Sequence, residues 1–500
     1  MLTPNQHDFD ALAAQNFNLI PVCREIAADL ETPVSAFLKI ARGDYAFLLE
    51  SVRGGEKWAR YTFLGAEPAM VLRGRGTTME VIRPGRDTEV RTVADPFESL
   101  RHEVKRLRAP QIDGLPRFFG GAVGYLTYDV VRYFERLPNS PPDDLRLPDL
   151  HMMFTDTLLV FDNVRQTLKI IANAPLDEFA STHAAYQSAV AKIDQVVARL
   201  ADRVTPPRLG VAADGAEPIV TSNQTREGYM AMVEAAKEYV AAGDIIQVVP
   251  SQRFEAALKV HPFNIYRALR GINPSPYMFY LKLGDHVVAG ASPEVMVRLE
   301  GREITLRPIA GTRRRGVDEA EDLRLERELL ADPKERAEHV MLVDLGRNDV
   351  GRVAEIGSVE VTELMVVERY SHVMHIVSNV RGKLRQGADA FDAFRATFPQ
   401  GTVSGAPKIR AMEIIDELEP TRRGVYAGAV GYFSYTGNMD TAIALRTLLI
   451  KDGRVYIQAG GGVVADSDPA AEYEESVNKA KAMVRALGAA RDFESAAAQG

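Results

Sequence analysis

The sequence predicts an α+β fold with antiparallel sheets. Two regions, 284–311 and 424–462, contain strand-like runs that follow one another without an intervening helix. Consecutive strands of this kind pair as antiparallel hairpins, whereas parallel pairing needs a long crossover connection. Long helical patterns alternate with these regions, and no Gly-x-Gly-x-x-Gly motif follows a strand pattern. The order of the elements therefore argues against a Rossmann layout.

The first predicted unit is an N-terminal domain that spans residues 20–201. It has strand patterns at 45–51 and 156–163 and a helical pattern over 176–201. The next segment, 202–226, is rich in Pro, Gly, Asp and Thr and has no sustained period. Such a composition predicts a linker on the surface of the protein.

The second predicted unit spans residues 227–488. It alternates helical patterns with strand patterns that include HVVAGASP, EITLRPIAG, GAVGYFSY and RVYIQAGGG. The three arginines 313–315 within AGTRRRG are typical of a solvated turn. Residues 489–500 close the chain, and we expect them to form a flexible tail.

Composition excludes several classes of protein. The 500 residues are 46% apolar and 26% charged, as in an ordinary globular protein, and their net charge of −8 gives no general nucleic-acid footprint. The single cysteine, Cys23, excludes an internal disulfide and a cysteine metal cluster. There is no run of 18 apolar residues and no signal-peptide pattern, so we expect a soluble, cytoplasmic protein.

Two helix starts in the second unit share one pattern. Asp332-Pro333 and Asp468-Pro469 each place a capping carboxylate before a proline, and two glutamates three residues apart follow on one helix face. Four carboxylates across a cleft suit Mg²⁺, but glutamates at helix N-termini also complement the helix dipole or close a capping box. The spacing alone leaves both interpretations open. The four glutamates are Glu335, Glu338, Glu472 and Glu475.

Other residue types indicate an anionic ligand and proton transfer. The glycines 460–462 let backbone N–H groups approach an anion closely, although a tight turn is an alternative. Arg446 interrupts an apolar strand pattern, and a buried guanidinium needs an anionic partner from the protein or a ligand. His372 and His375 are candidates for proton transfer, or else hydrogen-bonded structural groups.

Ten ordered sequence blocks extend through both predicted units. The blocks are LLES (48–51), RYTFLG (60–65), GDIIQVVPSQR (243–253), NPSPYMFY (273–280), GASPE (290–294), PIAGTRRRG (308–316), DPKERAEHVMLVDLGRND (332–349), ERYSHVMHIVS (368–378), GTVSGAPKIRAME (401–413) and GGGVVADSDPAAEYEES (460–476). Together they resemble the anthranilate synthase component I family, a branch of the chorismate-utilising enzymes. The resemblance implies two large antiparallel β-sheets packed between helical layers, an αββα sandwich in which the N-terminal unit interleaves with the catalytic unit.

The resemblance implies a lyase that converts chorismate and ammonia to anthranilate and pyruvate, the first step of tryptophan biosynthesis from chorismate. By resemblance, Glu338 and Glu475 hold Mg²⁺ against the ring carboxylate, with Glu335 and Glu472 as supporting carboxylates. The ion offsets the repulsion between these glutamates and a dianionic substrate. The implied substrate-binding residues are Gly311, Thr312, Tyr426, Arg446, Gly460, Gly461 and Gly462.

The resemblance also implies catalytic roles for three side chains. Glu294 protonates the C4 hydroxyl as it leaves, His375 belongs to the removal of the C2 proton, and Thr402 lines the site beside it. Gln247 and Ala310 stand where water-using and aminodeoxychorismate-forming relatives have a lysine, which favours direct addition of ammonia. A synthase that stops at aminodeoxyisochorismate stays an alternative, as does a tryptophan-binding regulatory protein without turnover.

A partner and a regulator are implied as well. Cys23 lacks the Gly-rich setting of an amidotransferase nucleophile, so a separate small subunit (component II) must release ammonia from glutamine. The family assembles as a heterotetramer of two large and two small subunits. Its feedback site for tryptophan corresponds to Ser51, Pro276, Tyr277 and Met278. From the sequence alone, a buried strand end is the preferred interpretation of LLES.

Overall fold

The computed structural model describes residues 2–51, 60–209, 218–370 and 373–496. The strands are β1 (Leu2–Thr3), β2 (Leu19–Ala27), β3 (Tyr45–Glu50), β4 (Tyr61–Ala66), β5 (Met70–Arg75), β6 (Thr78–Ile82), β7 (Glu89–Thr92), β8 (Gly121–Leu126), β9 (Leu150–Thr155), β10 (Thr157–Asp162), β11 (Thr167–Pro175), β12 (Thr221–Ser222), β13 (Gln247–Val248), β14 (Ser251–Ala257), β15 (Tyr277–Leu283), β16 (His286–Ser292), β17 (Val295–Glu300), β18 (Glu303–Leu306), β19 (Ile309–Arg314), β20 (Glu360–Arg369), β21 (Val373–Lys383), β22 (Gly405–Ala406), β23 (Ala429–Ser434), β24 (Met439–Ile443), β25 (Thr447–Lys451) and β26 (Arg454–Gly460).

Helices form the remaining regular structure. The α-helices are α1 (Gln6–Ala13), α2 (Pro33–Ile40), α3 (Pro96–Arg106), α4 (Thr182–Leu200), α5 (Arg226–Ala242), α6 (Pro262–Ile272), α7 (Glu319–Ala331), α8 (Pro333–Gly351), α9 (Ala390–Thr397), α10 (Lys408–Leu418) and α11 (Pro469–Ala496). Short 3₁₀ helices lie at Tyr128–Tyr133, Leu176–Glu178 and Gly401–Val403. No helix in the described part of the chain has the length and apolar composition to cross a membrane.

Two twelve-stranded antiparallel sheets organise the protein. Sheet I has the order β1-β2-β11-β10-β4-β3-β15-β16-β25-β26-β14-β12. Sheet II has the order β19-β21-β18-β17-β24-β23-β8-β9-β5-β6-β7, with β20 paired to β21. A separate pair joins β13 to β22. The predicted α+β class with two large antiparallel sheets is confirmed.

Both sheets cross from the first predicted unit to the second. In sheet I, β3 pairs with β15 and places Glu50 opposite Met278. In sheet II, β8 pairs with β23 and places Val123 opposite Tyr432. Within the predicted linker, residues 202–209 and 218–220 form no helix or strand. The two sheets themselves are shared by the two predicted units. Residues 210–217 lie outside the described part.

The core has the layer order helix, sheet, sheet, helix. Helices α1, α2, α4, α6 and α11 pack on one face of sheet I, and α3, α8 and α9 pack on one face of sheet II. Residues alternate between layers because strand side chains alternate between faces. In β15, Met278 and Tyr280 contact the helical layer, whereas Phe279 and Leu281 contact sheet II. Burial on both faces explains why such strands are apolar throughout.

The two predicted helix caps are confirmed. Asp332 accepts hydrogen bonds from the backbone N–H of Lys334 at 3.0 Å and of Glu335 at 3.3 Å, and α8 begins at Pro333. Asp468 accepts one from Ala471 at 2.8 Å where α11 begins. The three arginines, by contrast, do not form the predicted turn, since β19 continues through Arg314.

The predicted flexible tail needs correction over residues 489–496. These residues continue α11, where Ala490 is fully buried in the sheet I core and the Arg267 guanidinium lies 4.2 Å from the centre of the Phe493 ring. The helix continues because an apolar stripe at Met483, Leu487 and Ala490 keeps helical spacing against the core. Residues 497–500 lie outside the described part.

Two histidines meet between the sheets. His151 of β9 and His286 of β16 have ring centres 5.3 Å apart. His286 donates from Nδ1 to Asp285 at 2.8 Å and accepts the Tyr125 hydroxyl proton at Nε2, at 3.1 Å. Neither ring nitrogen of His151 has a hydrogen-bond partner among the described residues. Burial lowers the pKa of His151 well below its ordinary value of 6.5.

We expect His151 to make the protein sensitive to mild acid. Below about pH 6.5 the unfolded chain binds a proton on this histidine, and the folded chain does not. In that range this group lowers the free energy of unfolding by roughly 1.4 kcal/mol for each unit by which the pH falls. Replacing His151 with Phe should remove one proton from the pH dependence of urea unfolding between about pH 7 and pH 5. His102→Asn, at an exposed position of α3, is the control and should keep the wild-type slope. Equal slopes for His151→Phe and wild type would contradict the prediction.

Candidate functional site

The glutamates of the two predicted helix starts lie close together. Burial raises the pKa of Glu338, and the nearby carboxylates of Glu335 and Glu475 raise it further. Burial also raises the pKa of Glu472, with Glu475 again contributing. Like charges shift the pKa of one another only at short range. The first turns of α8 and α11 therefore form one cluster of acidic side chains.

The four carboxylates have different partners. Glu335 is held by Arg313, whose Nη1 lies 2.9 Å from its Oε1. Glu475 pairs with Lys479 at 2.8 Å, and this ammonium also donates to the carbonyl of Gly460 at 2.9 Å. Glu472 accepts the Ser467 hydroxyl proton through Oε1 at 2.8 Å. No hydrogen bond or ion pair to Glu338 occurs in the described part of the chain.

The carboxylates suit a hard divalent cation by their chemistry. Glu472 Oε2 is buried and has no hydrogen-bond partner among the described residues. A Cβ at Gly461 would lie only 2.7 Å from this oxygen and 3.6 Å from Glu475 Oε1, so glycine leaves room there. Within the ranges described, however, no three His, Cys, Asp or Glu side chains converge as a ready-made metal site. Carboxylate oxygens are the type of ligand that Mg²⁺ prefers. One oxygen of Glu335 is already engaged in the ion pair with Arg313.

The predicted anion-binding residues surround the end of β26. A Cβ at Gly460 would lie 2.2 Å from the carbonyl oxygen of Pro250, so only glycine allows this close approach. Burial raises the pKa of Tyr426 to about 12, and the nearby Gly460 backbone opposes this effect. Gln247 also lies beside this segment, with its Nε2 2.8 Å from the position of a Cβ on Gly462. The glycine segment therefore lies between neutral groups and the carboxylates of Glu472 and Glu475.

Arg446 supplies a positive charge that no carboxylate in the described part of the chain neutralises. It is half-buried, has a left-handed φ of 48°, and forms no ion pair with a described carboxylate. Burial lowers the pKa of Arg446, and its charge contributes to the pKa values of His375 and Tyr370 nearby. The sequence-based expectation that Arg446 needs an anionic partner therefore points to a ligand.

His375 is held in one orientation by β19. Its Nδ1 lies 3.0 Å from the carbonyl oxygen of Gly311 and 3.1 Å from the Thr312 hydroxyl oxygen. A carbonyl only accepts, so Nδ1 carries the proton and Nε2 is the free acceptor of the neutral ring. Burial lowers the pKa of His375 to about 4, which keeps the ring neutral at pH 7. Gly311 has φ +68° at the bulge that makes this contact. His372 lies outside the described residues.

Glu294 is a buried carboxyl group in the connection between β16 and β17. It is 3% exposed and accepts the Thr402 hydroxyl proton at 2.9 Å. Burial raises the pKa of Glu294 to about 8, so the group is mostly protonated at neutral pH. A protonated carboxyl and the neutral imidazole of His375 are one candidate acid and one candidate base.

The sequence reasoning missed one buried ion pair at this site. Glu419 and Arg423 have side chains 2% and 1% exposed, and they contact backbone groups next to Thr402 and Gly460. The available signal was a Glu and an Arg four residues apart in ELEPTRRGVY, shortly before Tyr426. Such a spacing is common on protein surfaces, so it does not reveal burial.

The predicted tryptophan-site residues line a cavity of about 270 Å³ between the sheets. Ser51, Pro276, Tyr277 and Met278 all border it. Asp440 forms part of one wall, where it accepts the Tyr277 hydroxyl proton at 3.0 Å and pairs with Arg298 at 2.8 Å and Arg117 at 2.9 Å.

Glu50 also borders the cavity, but its carboxylate faces the helical layer on sheet I. Tyr266 and Arg270 hold this carboxylate from helix α6, at 2.5 Å and 3.0 Å. The structure thus brings the four predicted residues together around one partly charged space.

Comparisons with known proteins show which family the chain resembles. The family model described as "chorismate binding enzyme" matches residues 46–485. Anthranilate synthase component 1 of Pseudomonas aeruginosa is 52% identical over 491 residues, covering 97% of this chain and 99% of the relative. The corresponding protein of Aquifex aeolicus is 48% identical over 480 residues, covering 96% and 97%.

Solved structures show the same relationship. Anthranilate synthase component I from Streptococcus pneumoniae superposes with a TM-score of 0.76 at 37% identity, covering 92% of this chain and 99% of that one. The Escherichia coli isochorismate synthase MenF has a TM-score of 0.67 over 96% and 98% of the two chains, and at 18% identity it shares the fold alone. The sequence blocks, the paired sheets and these matches agree, and the chain belongs to the chorismate-binding enzymes, in the anthranilate synthase component 1 family.

Proposed function

We propose that the protein is the large subunit of an anthranilate synthase, which makes anthranilate and pyruvate from chorismate and ammonia. Arg446 carries the proposal. Its guanidinium lies near His375 and has no carboxylate partner among the described residues, so an anionic substrate completes the site. Chorismate, with two carboxylates, has the required charge. The Tyr426 hydroxyl and the N–H groups of the glycines 460–462 bind one of these carboxylates.

Acid and base groups fit the two chemical stages of this reaction. Ammonia adds at ring C2 while Glu294, protonated at neutral pH, gives its proton to the C4 hydroxyl, which leaves as water. His375 then removes the C2 proton through Nε2 as the C3–O bond breaks. The side chain leaves as enolpyruvate and becomes pyruvate when its methylene carbon is protonated, and the ring becomes aromatic. Thr312 and the Gly311 carbonyl keep the imidazole in position throughout.

The acidic residues of α8 and α11 give the protein a place for Mg²⁺. Glu338 and Glu475 are the proposed ligands, supported by the unpartnered Oε2 of Glu472. A bound divalent ion would neutralise these carboxylates and attract the ring carboxylate of the substrate. Glu335 supports the site through its ion pair with Arg313, which also binds the capping carboxylate of Asp332 at 2.8 Å.

Ammonia has to come from another chain. Cys23 is buried, and burial raises the pKa of its thiol to about 11, so this chain offers no thiolate for glutamine hydrolysis. The name "component 1" of the relatives supports a second component. We therefore propose a glutamine amidotransferase small subunit as partner, in a heterotetramer of two large and two small subunits.

Tryptophan is the proposed occupant of the cavity between the sheets. Charged side chains of both signs, Asp440 and Arg298 among them, suit the ammonium and carboxylate of an amino acid, and the Phe63 ring offers an apolar surface for an indole. A pathway end product bound there would inhibit the first step. The cavity is separate from the acidic site, so inhibition would act at a distance.

The test of the function is anthranilate fluorescence from the purified chain with chorismate, Mg²⁺ and ammonium chloride. We expect fluorescence and pyruvate in equal amounts, and loss of both signals on addition of a chelator. The double variant Glu338→Gln/Glu475→Gln should lower turnover at least about 100-fold, since it removes both ligand charges. Glu474→Gln, at an exposed position of the same helix α11, is the matched control and should keep wild-type turnover. Chorismate consumption without fluorescence would favour the aminodeoxyisochorismate-forming alternative, and no consumption would favour a regulatory protein.

The substitution Ser51→Phe tests the tryptophan cavity. A phenyl group at this position should fill part of the space, and we expect the tryptophan concentration for half-inhibition to rise at least about tenfold, a loss of roughly 1.4 kcal/mol of binding free energy. Ammonium-dependent turnover without tryptophan should stay near the wild-type value, because Ser51 lies outside the acidic site. An unchanged half-inhibition concentration would contradict the assignment of this cavity.

The proposed acid predicts the alkaline limb of the pH profile. At a constant concentration of free ammonia, kcat/KM for chorismate should fall as the pH rises through about 8, where Glu294 loses its proton. Thr402→Val should move this limb upward by up to roughly one pH unit, because the Thr402 hydroxyl stabilises the carboxylate form. Thr397→Val is the control, since the Thr397 hydroxyl donates to the Ala393 carbonyl, within helix α9. A limb unmoved by Thr402→Val would argue against Glu294 as the acid.

A further inference from the structure

A fully buried ion pair lies behind the proposed substrate site. Arg423 Nη2 is 2.6 Å from Glu419 Oε1, and its Nε is 3.0 Å from Oε2. The contact is bidentate, which fixes the plane of the guanidinium relative to the carboxylate. Glu419 directly follows α10, and Arg423 lies four residues later. Both side chains are removed from solvent, so each charge depends on protein partners.

The remaining hydrogen-bonding groups of the pair bind the backbone of two other segments. Glu419 Oε1 accepts the Ser251 backbone N–H at 2.8 Å and the Ser251 hydroxyl at 2.7 Å. Arg423 donates from Nη1 to the carbonyl of Val403 at 2.7 Å and from Nη2 to the carbonyl of Val249 at 2.5 Å. One ion pair thus joins the end of α10 to the start of β14 and to the 3₁₀ helix Gly401–Val403.

Each joined segment carries a group of the proposed site. Ser251 pairs with Gly460 between β14 and β26, at the start of the three glycines. Val403 directly follows Thr402, whose hydroxyl binds Glu294. The Arg423 guanidinium also lies 5.5 Å from the centre of the Tyr426 ring, which is a cation–π distance.

We propose that Glu419 and Arg423 are positioning residues that set the spacing between the Tyr426–Gly460 carboxylate-binding groups and the Thr402–Glu294 acid. Neither residue touches substrate. A buried ion pair adds little net stability compared with well-packed apolar side chains, whereas its directional hydrogen bonds fix geometry. This inference rests on the proposed roles of Tyr426 and Glu294 in the reaction with chorismate.

The double variant Glu419→Leu/Arg423→Met separates positioning from stability. It removes both charges together, so no uncompensated charge is left buried, and it keeps apolar volume. We expect a folded protein that binds tryptophan with wild-type affinity, because the cavity between the sheets lies elsewhere. We expect kcat/KM for chorismate to fall about 100-fold, through both a higher KM and a lower kcat, since small displacements of binding and acid groups have effects of this size.

A second ion pair of the same helix provides the matched control. Asp349 pairs with Lys408 of α10 at 2.7 Å, is also buried, and makes no hydrogen bond to the site residues named above within the described part of the chain. Asp349→Leu/Lys408→Met should keep kcat/KM near wild type. Arg423→Lys keeps the charge but loses the fork geometry, so it should restore part of the turnover lost in the double variant. If the double variant does not fold, Arg423→Lys alone should still raise KM several-fold at unchanged tryptophan affinity.

The outcomes distinguish this inference from the proposed function. A folded double variant with wild-type kcat/KM and KM would overturn the positioning role, as would wild-type kinetics of Arg423→Lys. An equal loss in the Asp349/Lys408 control would show a general effect of removing ion pairs, which also overturns it. Tyr426→Phe tests the proposed function by itself, since it removes a carboxylate-binding hydroxyl and leaves the ion pair in place. An unchanged KM for chorismate in Tyr426→Phe would contradict the substrate site, whatever the double variant does.

Discussion

Burial of both sheets on both faces is the constraint on which the rest of this structure depends. Sheet I is covered by helices on one face and by sheet II on the other, and sheet II is covered in the corresponding way. Polar groups between the sheets therefore have no solvent to bind and need partners in place. Asp440 with its two arginines, and Tyr125 with His286, are examples of such local satisfaction. A cavity in this layer is consequently a defined space with fixed polar walls.

The same packing connects that cavity to the acid of the proposed site. Strands β17 and β24 pair Arg298 with Asp440 at the cavity wall, and they pair Val295 with Ala442 next to Glu294. The backbone N–H of Ile443 donates to the carbonyl of Glu294 at 3.1 Å. Strands β17 and β24 therefore extend from the cavity wall to Val295, the residue that directly follows Glu294.

Local patterns in the sequence were sufficient for much of the fold. The apolar strand YAFLLE and the Asp332 cap were predictable because strand periodicity and helix capping depend on neighbouring residues. The order of strands within the sheets was not predicted, since pairing such as β3 with β15 joins residues more than 200 positions apart. No local signal specifies a contact of that range.

The site residues divide along similar lines. Arg446 was identifiable from physics, because a charge inside an apolar strand pattern requires explanation. The pairing of Glu335 with Arg313 was not, since three consecutive arginines are typical of solvent exposure and their partners are set by tertiary structure. The Glu419–Arg423 ion pair after α10 was missed because its role depends on burial, which the spacing of the two residues does not reveal.

The sharing of both sheets between the two halves of the chain has a consequence for synthesis on the ribosome. One edge of β8 stays unpaired until β23 is synthesised, and β23 begins roughly 300 residues later, at Ala429. At ribosomal speeds of about 5–20 residues per second, this delay is on the order of 15–60 s. During that time the nascent chain exposes long apolar strand edges, which are prone to pair with other chains. The biogenesis of this protein therefore depends on protection of its first 200 residues until translation is nearly complete.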